Sequence, residues 1–304
     1  MDHRGKTVLI TGAGPTGVTG RAIREFLEND YSILAPSSKE LDLTDDAAVR
    51  SYFNSHQIDF VVHCATYRSN ISQTTHMVDE ELESNLRMYF ALASQSEKFE
   101  KMVYLGSGAE FDKSRPIVNI KEEQFGESIP KNKYGLGKYI MNQHCRNSKN
   151  IYNLRMFGTL NPYERYTKNV VCNLCAKAVM GLPLTLKQDC KFSWVDINDV
   201  MKAVFYLFNN EVLYHDYNIA YPCALFLSEI AAMIFQVAGR KNTVLFEKEG
   251  INYEYTCEVS RFHNSFKIEM TDVMDSVARI YNYYSNHKKS IELSHIDDRW
   301  HNKI

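Results

Sequence analysis

Short apolar runs alternate with longer amphipathic stretches through the first half of the chain. The runs are KTVLIT (6–11), YSILA (31–35), DFVVHC (59–64), KMVYLGS (101–107) and YNLRMF (152–157). Rich in Val, Ile and Leu and bounded by turns, each reads as a strand buried on both faces of a parallel sheet. Between them, RAIREFLEN, ELESNLRMYFALASQ and KYGLGKYIMNQHC carry apolar residues at i, i+3, i+4 spacing, so each predicts a helix with one face on that sheet. Strand and helix in alternation predict an α/β fold, a doubly wound parallel sheet with right-handed crossovers. Beyond residue 165 the alternation loosens. Residues 1–165 are expected to form the sheet domain, completed by about 192–220, and residues 166–191 and 221–304 a smaller C-terminal lobe over the strand ends.

Composition narrows the partners. Of 304 residues, 44% are hydrophobic and 24% charged, with a formal net charge of −2. That balance gives no electrostatic reason to expect nucleic acid or an anionic membrane. No apolar stretch approaches the roughly 20 residues of a transmembrane helix. The N-terminus runs straight into a strand without a secretory signal, and seven cysteines lack framework spacing. The expected location is therefore the reducing cytoplasm. Cys172 and Cys175, a lone C-x-x-C in a helical pattern, read as buried cysteines, and no metal site is expected.

The chemistry begins at ITGAGPTGVTGRAIREFL (10–27), where two phosphate-binding patterns overlap. Gly12, Gly14 and Gly17 spell G-x-G-x-x-G, whereas Gly14, Gly17 and Gly20 spell G-x-x-G-x-x-G. On a helix, Gly20 shares a face with Ile23 and Leu27 and lets helix and strand approach closely. Gly17 then stands at the helix start, where free N–H groups and the dipole favour a pyrophosphate. That favours the second register, with Gly12 ending the strand and a dinucleotide bound by Gly12, Gly14, Thr16, Gly17 and Val18; a plain structural turn is the alternative. An NAD site usually has an acid about 20 residues after the loop. Residues 32–39, SILAPSSK, have none, so Ser37, Ser38 and Lys39, with Arg21 or Arg24, are expected to hold a 2′-phosphate. NADP(H) is favoured and NAD(H) kept open, against a merely solvated turn.

Tyr134 and Lys138, four apart in KYGLGKYIM, share a helix face. A neighbouring ammonium and the positive charge of an oxidised nicotinamide lower a phenol from its free value of about 10. It then exchanges a proton with a carbinol or carbonyl oxygen near neutral pH. Ser107 ends a predicted strand and would hydrogen-bond and orient the same oxygen. Strand-end serine, helical tyrosine and lysine, and a nucleotide loop form a joint signature.

With these residues the chain resembles the extended short-chain dehydrogenases/reductases, specifically the NAD-dependent epimerase/dehydratase family that acts on nucleotide sugars. The resemblance runs from residue 6 to about 280. It rests on TGAGPTGVTG, ELDLTD (40–45), FVVHCAT (60–66), LESNLRMYFALA (82–93), LGSGAEF (105–111), YGLGK (134–138), LRMFGTLNP (154–162) and FSWVDINDV (192–200). It implies a Rossmann-type dinucleotide domain with a smaller substrate-binding lobe. It further implies that Asp42 and Leu43 flank the adenine, that Cys64, Ala65 and Thr66 run along the cofactor, and that Asn85 supports the active site. Asn169 matches the asparagine that meets sugar-nucleotide phosphates, and Arg261 is a further candidate for a diphosphate. A homodimer through helices near 82–96 and 133–146 is also implied.

Departures from the family pattern choose the reaction. The glycine loop is two residues longer than T-G-x-x-G-x-x-G, with Gly14 and Pro15 as the extra pair. Gly108 and Ala109 stand where the family's 4,6-dehydratases carry an acid pair, and Glu110 is expected on another face of the strand. The stretch is most similar to the GDP-fucose synthase branch, yet Ala109 and Val170 replace that branch's epimerising cysteine and histidine. Hydride transfer remains, with Ser107, Gly108, Ala109, Asn169 and Arg261 toward the substrate. The expectation is NADPH-dependent reduction of a nucleotide-linked 4-keto, 6-deoxy sugar for cell-surface polysaccharide. A nucleotide-sugar 4-epimerase holding NAD tightly and a non-catalytic dinucleotide sensor are the alternatives.

Overall fold

The computed structural model describes residues 5–14, 17–67, 75–240 and 244–296, with backbone only at 75–79. The first half runs β1 (Thr7–Thr11), α1 (Val18–Leu27), β2 (Ser32–Leu34), α2 (Asp46–Ser55), β3 (Phe60–His63), α3 (Thr75–Ala93) and β4 (Lys101–Ser107). It continues with β5 (Ile117–Ile120), α4 (Lys133–Cys145), β6 (Ile151–Met156), β7 (Gly158–Leu160), α5 (Val170–Met180), β8 (Thr185–Leu186), β9 (Lys191–Phe192) and β10 (Trp194–Asp196). The remainder is α6 (Ile197–Asn209), β11 (Asp216–Ile219), β12 (Leu225–Phe226), α7 (Leu227–Val237), β13 (Leu245–Phe246), β14 (Tyr255–Cys257), α8 (Ser260–Ser265) and α9 (Val273–Asn286).

All five apolar runs form strands of one parallel sheet, ordered β11-β6-β4-β3-β1-β2. Successive residues of a strand point to opposite faces, so each apolar run feeds two cores. Val8 and Ile10 of β1 pack with Ile23 and Leu27 of α1 and Val200, Val204 and Leu207 of α6. Leu9, on the opposite face, packs with Val49 and Phe53 of α2, Tyr89 and Leu92 of α3 and Met141 of α4. The fold is therefore a Rossmann-type doubly wound α/β sheet. Its strand order reverses between β1 and β3, the crevice at whose carboxyl ends such sheets bind ligands.

A further core gathers α5, α7 and α9 around Leu174, Ile230, Val277 and Trp194. Beside it lies a sheet ordered β12-β9-β14-β5, whose strand β5 comes from the first half of the chain. Helix α8 runs the other way in allegiance, because its Phe262 and the following Phe266 are buried in the first core with Tyr217. Strand β11 lies outside the five apolar runs. It reads Asp-Tyr-Asn-Ile and is buried throughout, its polar residues taken up by side chains of neighbouring elements. Among the described residues no helix is long and apolar enough to cross a membrane.

Candidate active site

The glycine loop shows a division of labour. Gly12 follows β1 with φ +70, a conformation costly for other residues, and a Cβ there would meet Ala65 N at 2.6 Å. A Cβ on Gly17 would lie 1.8 Å from the Gly12 carbonyl oxygen, and one on Gly20 2.5 Å from the same atom. Gly14 has open space around it. Sterically, then, Gly12, Gly17 and Gly20 act together, which corrects the favoured triple: Gly12 is its first member and Gly14 an insertion. Thr16, with Pro15, lies outside the described residues. Helices α2, α4, α5, α6 and α9 each begin on an Asp or Asn whose side chain accepts from the first turn. Helix α1 begins on Gly17, with no side-chain cap and no acid in its first turn. Its N–H groups and positive dipole end face the crevice, which suits a diphosphate.

The opposite wall is the end of β3. The Thr11 hydroxyl bonds His63 Nδ1 at 2.9 Å and accepts from Ala65 N–H at 3.2 Å, tying the two strand ends together. Asn85 of α3 clamps the next turn: its Oδ1 accepts from Tyr67 N–H and its Nδ2 donates to Tyr67 O, both at 2.9 Å. Cys64 and Ala65 are half-buried and Thr66 is exposed. Burial pushes the Cys64 thiol up to about 12, so it stays protonated. Burial, with the Lys138 charge, holds His63 down to about 3, so its ring is neutral.

After β2, an acid reaches the segment that reads as acid-free. Glu40 folds back, and its carboxylate accepts from Ser37 N–H at 2.7 Å and from the Ser37 side chain, which lowers its pKa. Ser38 and Lys39 remain exposed. Arg21 lies elsewhere, 5.0 Å over the Tyr163 ring. Asp42 is exposed and accepts from Thr44 N–H and its hydroxyl, while Leu43 is buried against Leu9 and Leu41.

At the end of β4 the chain turns sharply. Instead of extending, Gly108–Glu110 form one 3₁₀ turn that begins on Ser107. The Ser107 hydroxyl accepts from Ala109 N–H at 3.2 Å, and Glu110 accepts from Ser107 N–H at 3.1 Å. Glu110 therefore sits beneath the serine rather than on another strand face. Its carboxylate also accepts from Arg155 Nε at 2.7 Å and from Asn153 Nδ2 at 3.1 Å. Burial pushes Glu110 up, with Arg155 and these donors opposing it. Arg155 continues to Asn218 and Asp216, each at 2.9 Å, and Asn153 to Asn142 of α4 at 2.8 Å.

Helix α4 brings Tyr134 and Lys138 to this turn. Asn132 caps it, accepting from Gly135 N–H at 2.7 Å. A Cβ on Gly135 would meet the Ala109 carbonyl oxygen at 2.4 Å, so only glycine lets the helix start press against the serine turn. Lys138 is buried, donates to Leu105 O at 2.9 Å, and lies 4.5 Å over the Tyr104 ring and 5.9 Å from the Tyr134 ring centre. Serine, tyrosine and lysine thus converge at the carboxyl end of β4, next to the β1/β3 crevice.

Two expected substrate residues are otherwise engaged. Asn169 caps α5, accepting from Val171 and Cys172 N–H and donating to Thr159 O at 3.1 Å. Arg261 is spent on Asp216 at 3.0 Å and on Glu123, and stacks 4.2 Å from Tyr214. Asp216 opens β11, opposite Asn153, whereas Ser107 is opposite Met156. Arg261 is thus about three strand residues, or roughly 10 Å, back from the reacting edge, and the structure does not bring it to Ser107. Residues the sequence pattern misses complete the site: Glu110, Glu40 and Tyr255, whose hydroxyl fills the space beside Gly108.

Such a sheet, with a glycine cradle at its switch point and Ser, Tyr and Lys at the next strand end, defines a dinucleotide-dependent short-chain dehydrogenase/reductase site. The sequence profile of the NAD dependent epimerase/dehydratase family matches residues 8–220, and the chain belongs to that family. It is 22% identical over 264 residues to GDP-L-colitose synthase from Yersinia pseudotuberculosis, covering 79% of this chain and 85% of that one. In fold it is similar to a GDP-mannoheptose C4 reductase from Campylobacter jejuni solved with NADP bound. That match has a TM-score of 0.76 and 16% identity over 92% of this chain and 98% of that one. A GDP-L-fucose synthetase from Naegleria fowleri gives a TM-score of 0.77 at 15% identity, covering 94% of each chain.

Proposed function

We propose that the protein reduces a nucleotide-linked 4-keto sugar, of the 6-deoxy class, using NADPH. One observation carries the reading: Ser107, Tyr134 and Lys138 converge, while Gly108, Ala109 and Val170 leave no ionisable group at the positions of dehydration and epimerisation. The activities that name the C4 reductase and the colitose synthase support the same class. A bound nicotinamide would supply the hydride to the carbonyl carbon. The Tyr134 hydroxyl gives the carbonyl oxygen its proton, and the Ser107 hydroxyl donates to that oxygen and aligns it. The Lys138 ammonium, fixed on Leu105 O, favours the tyrosinate left behind. Gly12, Gly17 and the first turn of α1 hold the diphosphate, and Cys64, Ala65 and Thr66 line the cofactor's path. Asp42 and Leu43 flank its adenine. Residues 166–191 and 221–304, apart from α8 and Phe266, which pack in the first core, supply the substrate lobe, with Asn169 there acting as the cap that shapes it. A cytoplasmic homodimer across α3 and α4 completes the reading.

A 4-epimerase with resident NAD is the second reading, and Glu40 favours it, because a carboxylate at Ser37 suits a ribose hydroxyl and opposes a 2′-phosphate. Protein denatured after purification releases its dinucleotide for chromatography, and cofactor-free protein is titrated with NADPH and NADH. Empty protein preferring NADPH supports the reductase; stoichiometric NAD⁺ supports the epimerase. Tyr134→Phe is expected to lower turnover at least about 100-fold while leaving NADPH affinity within three-fold. Retained turnover in that variant contradicts both readings.

A further inference from the structure

The ammonium beside Tyr134 rests on an aromatic face. Tyr104, in the middle of β4, stands opposite His63 of β3 and Asn153 of β6 in the strand register. This row meets the two helices that cover it, Tyr104 and His63 through Tyr89 of α3, Asn153 through Asn142 of α4. The Tyr104 ring is buried, edge-on to Tyr89 at 5.3 Å and stacked on His63 at 6.2 Å. Tyr89 is held in turn, its hydroxyl hydrogen-bonded to His144 Nδ1 of α4 at 3.1 Å. Lys138 comes from α4 onto the Tyr104 ring, with Nζ 4.5 Å from its centre, and donates to Leu105 O at 2.9 Å. Two successive residues of β4 therefore receive the ammonium, one with a ring face and the next with a carbonyl oxygen.

Both contacts answer the same cost. An ammonium taken out of water must recover its hydration from fixed groups, and Lys138 is buried. A carbonyl accepts one N–H along one direction, whereas the negative face of a ring attracts the whole charge. The neighbours in the row leave that attraction intact: Asn153 is uncharged, and burial, with the Lys138 charge, holds His63 down to about 3. Burial pushes the Tyr104 phenol well up, so it stays neutral and leaves the ammonium uncancelled. Its hydroxyl is buried with no hydrogen-bond partner among the described residues, so the ring is what Tyr104 offers Lys138. We propose that Tyr104 is a positioning residue for Lys138: its ring face seats the ammonium against Leu105 O and fixes the charge that stabilises the Tyr134 phenolate. The inference rests on the roles given to Lys138 and Tyr134 above.

The test grades the ring while keeping its shape. Turnover is measured with saturating NADPH and a nucleotide-linked 4-keto-6-deoxy sugar. Tyr104→Phe keeps the face and removes only the orphan hydroxyl, so kcat should stay within about two-fold and the melting temperature should not fall. Replacing Tyr104 instead with phenylalanines carrying one to five ring fluorines weakens the negative face step by step. The expected result is a stepwise fall in kcat reaching about 10-fold at five fluorines, with KM and melting temperature close to those of Tyr104→Phe. A kcat that is flat across the series overturns the proposal, as does one that follows the melting temperature instead of fluorine number. A loss of about 10-fold in Tyr104→Phe itself also overturns it, because the hydroxyl would then be the acting group. A parent that turns over no such sugar overturns the proposed function instead. The seat is then read without turnover, from the ε-methylene resonances of Lys138, assigned by their loss in Lys138→Met. Resonances that move stepwise with fluorine number support the seat, and resonances that ignore the series contradict it.

Discussion

The two halves of the main sheet solve burial in opposite ways. In β1 and β3, Val8, Leu9, Ile10, Val61 and Val62 are fully buried and wholly apolar. In β6 and β11, Asn153, Arg155 and Asn218 are fully buried as well, with Asp216 at 2%. The apolar half is held by non-directional contact and area, so its side chains are interchangeable within volume limits. The polar half is held by directed bonds, each of which needs its partner. Position explains the choice. The polar strip lies beneath Ser107, reaches its N–H through Glu110, and reaches α4 through Asn142. A packed apolar surface would support the serine turn, but it would not orient a backbone N–H or register α4 against β4.

The largest expected effect breaks that polar strip. Arg155→Met removes the cation between Glu110 and Asp216 and leaves the Glu110 carboxylate buried without its charge partner. A loss of about 3–5 kcal/mol is expected in urea unfolding. Adding Glu110→Gln should recover part of it, because the uncompensated charge is then gone. A loss under about 1 kcal/mol for Arg155→Met would mean that the two halves do not differ in kind.

The apolar half has a polar contact of its own, between Thr11 and His63, which sharpens the comparison through pH. His63 titrates near 3 in the folded protein against an ordinary value near 6.5. Between those values the unfolded chain binds the extra proton, so this group's stabilisation is complete above about 6.5 and is lost as pH falls toward 3. Urea midpoints at pH 7 and pH 5 should therefore diverge more in the parent than in His63→Gln. Equal divergence would place the acid sensitivity elsewhere.

Smaller effects follow. Glu40→Gln removes the carboxylate charge that engages Ser37 and should tighten NADPH relative to NADH by about 3- to 10-fold, read by fluorescence titration. An unchanged ratio would show that no 2′-phosphate approaches this turn. Ile10→Val, in the apolar half, should cost about 0.5–1.5 kcal/mol and leave kcat unchanged. A fall in kcat there would show that both halves carry the active-site geometry.

The same division governs how far the molecule was legible from its sequence. Strands β1, β3 and β4 stand out as apolar runs, and β6 through Ile151, Tyr152 and Leu154, although its Asn153 and Arg155 belong to the polar strip. Strand β11 does not, because Asp216 and Asn218 meet their burial through Arg155, a pairing that no local pattern records. Tyr134 and Lys138 were readable because helix periodicity alone puts them on one face, and Gly17 and Gly20 because a helix start and a close approach each demand glycine. Gly12 was undervalued, since its role depends on Ala65 from another strand. Glu40 lay one residue past the segment read for acids, and only the turn brings it back to Ser37. Tyr255 reaches the turn after Ser107, at Gly108, through strand pairing in a second sheet, so nothing near either residue announces it. Arg261 looked like a phosphate ligand because an unpaired arginine would be one; three carboxylates around it alter that reading.

The central claim is hydride transfer from an exchanging NADPH to the sugar, and following the hydride tests it most directly. NADPH carrying deuterium at the transferred position is incubated with the protein and a nucleotide-linked 4-keto-6-deoxy sugar, and the product is analysed by mass spectrometry and NMR. The account predicts one deuterium at C4 of the product for each NADP⁺ formed. A product without deuterium, or turnover that proceeds without consuming NADPH, would contradict it.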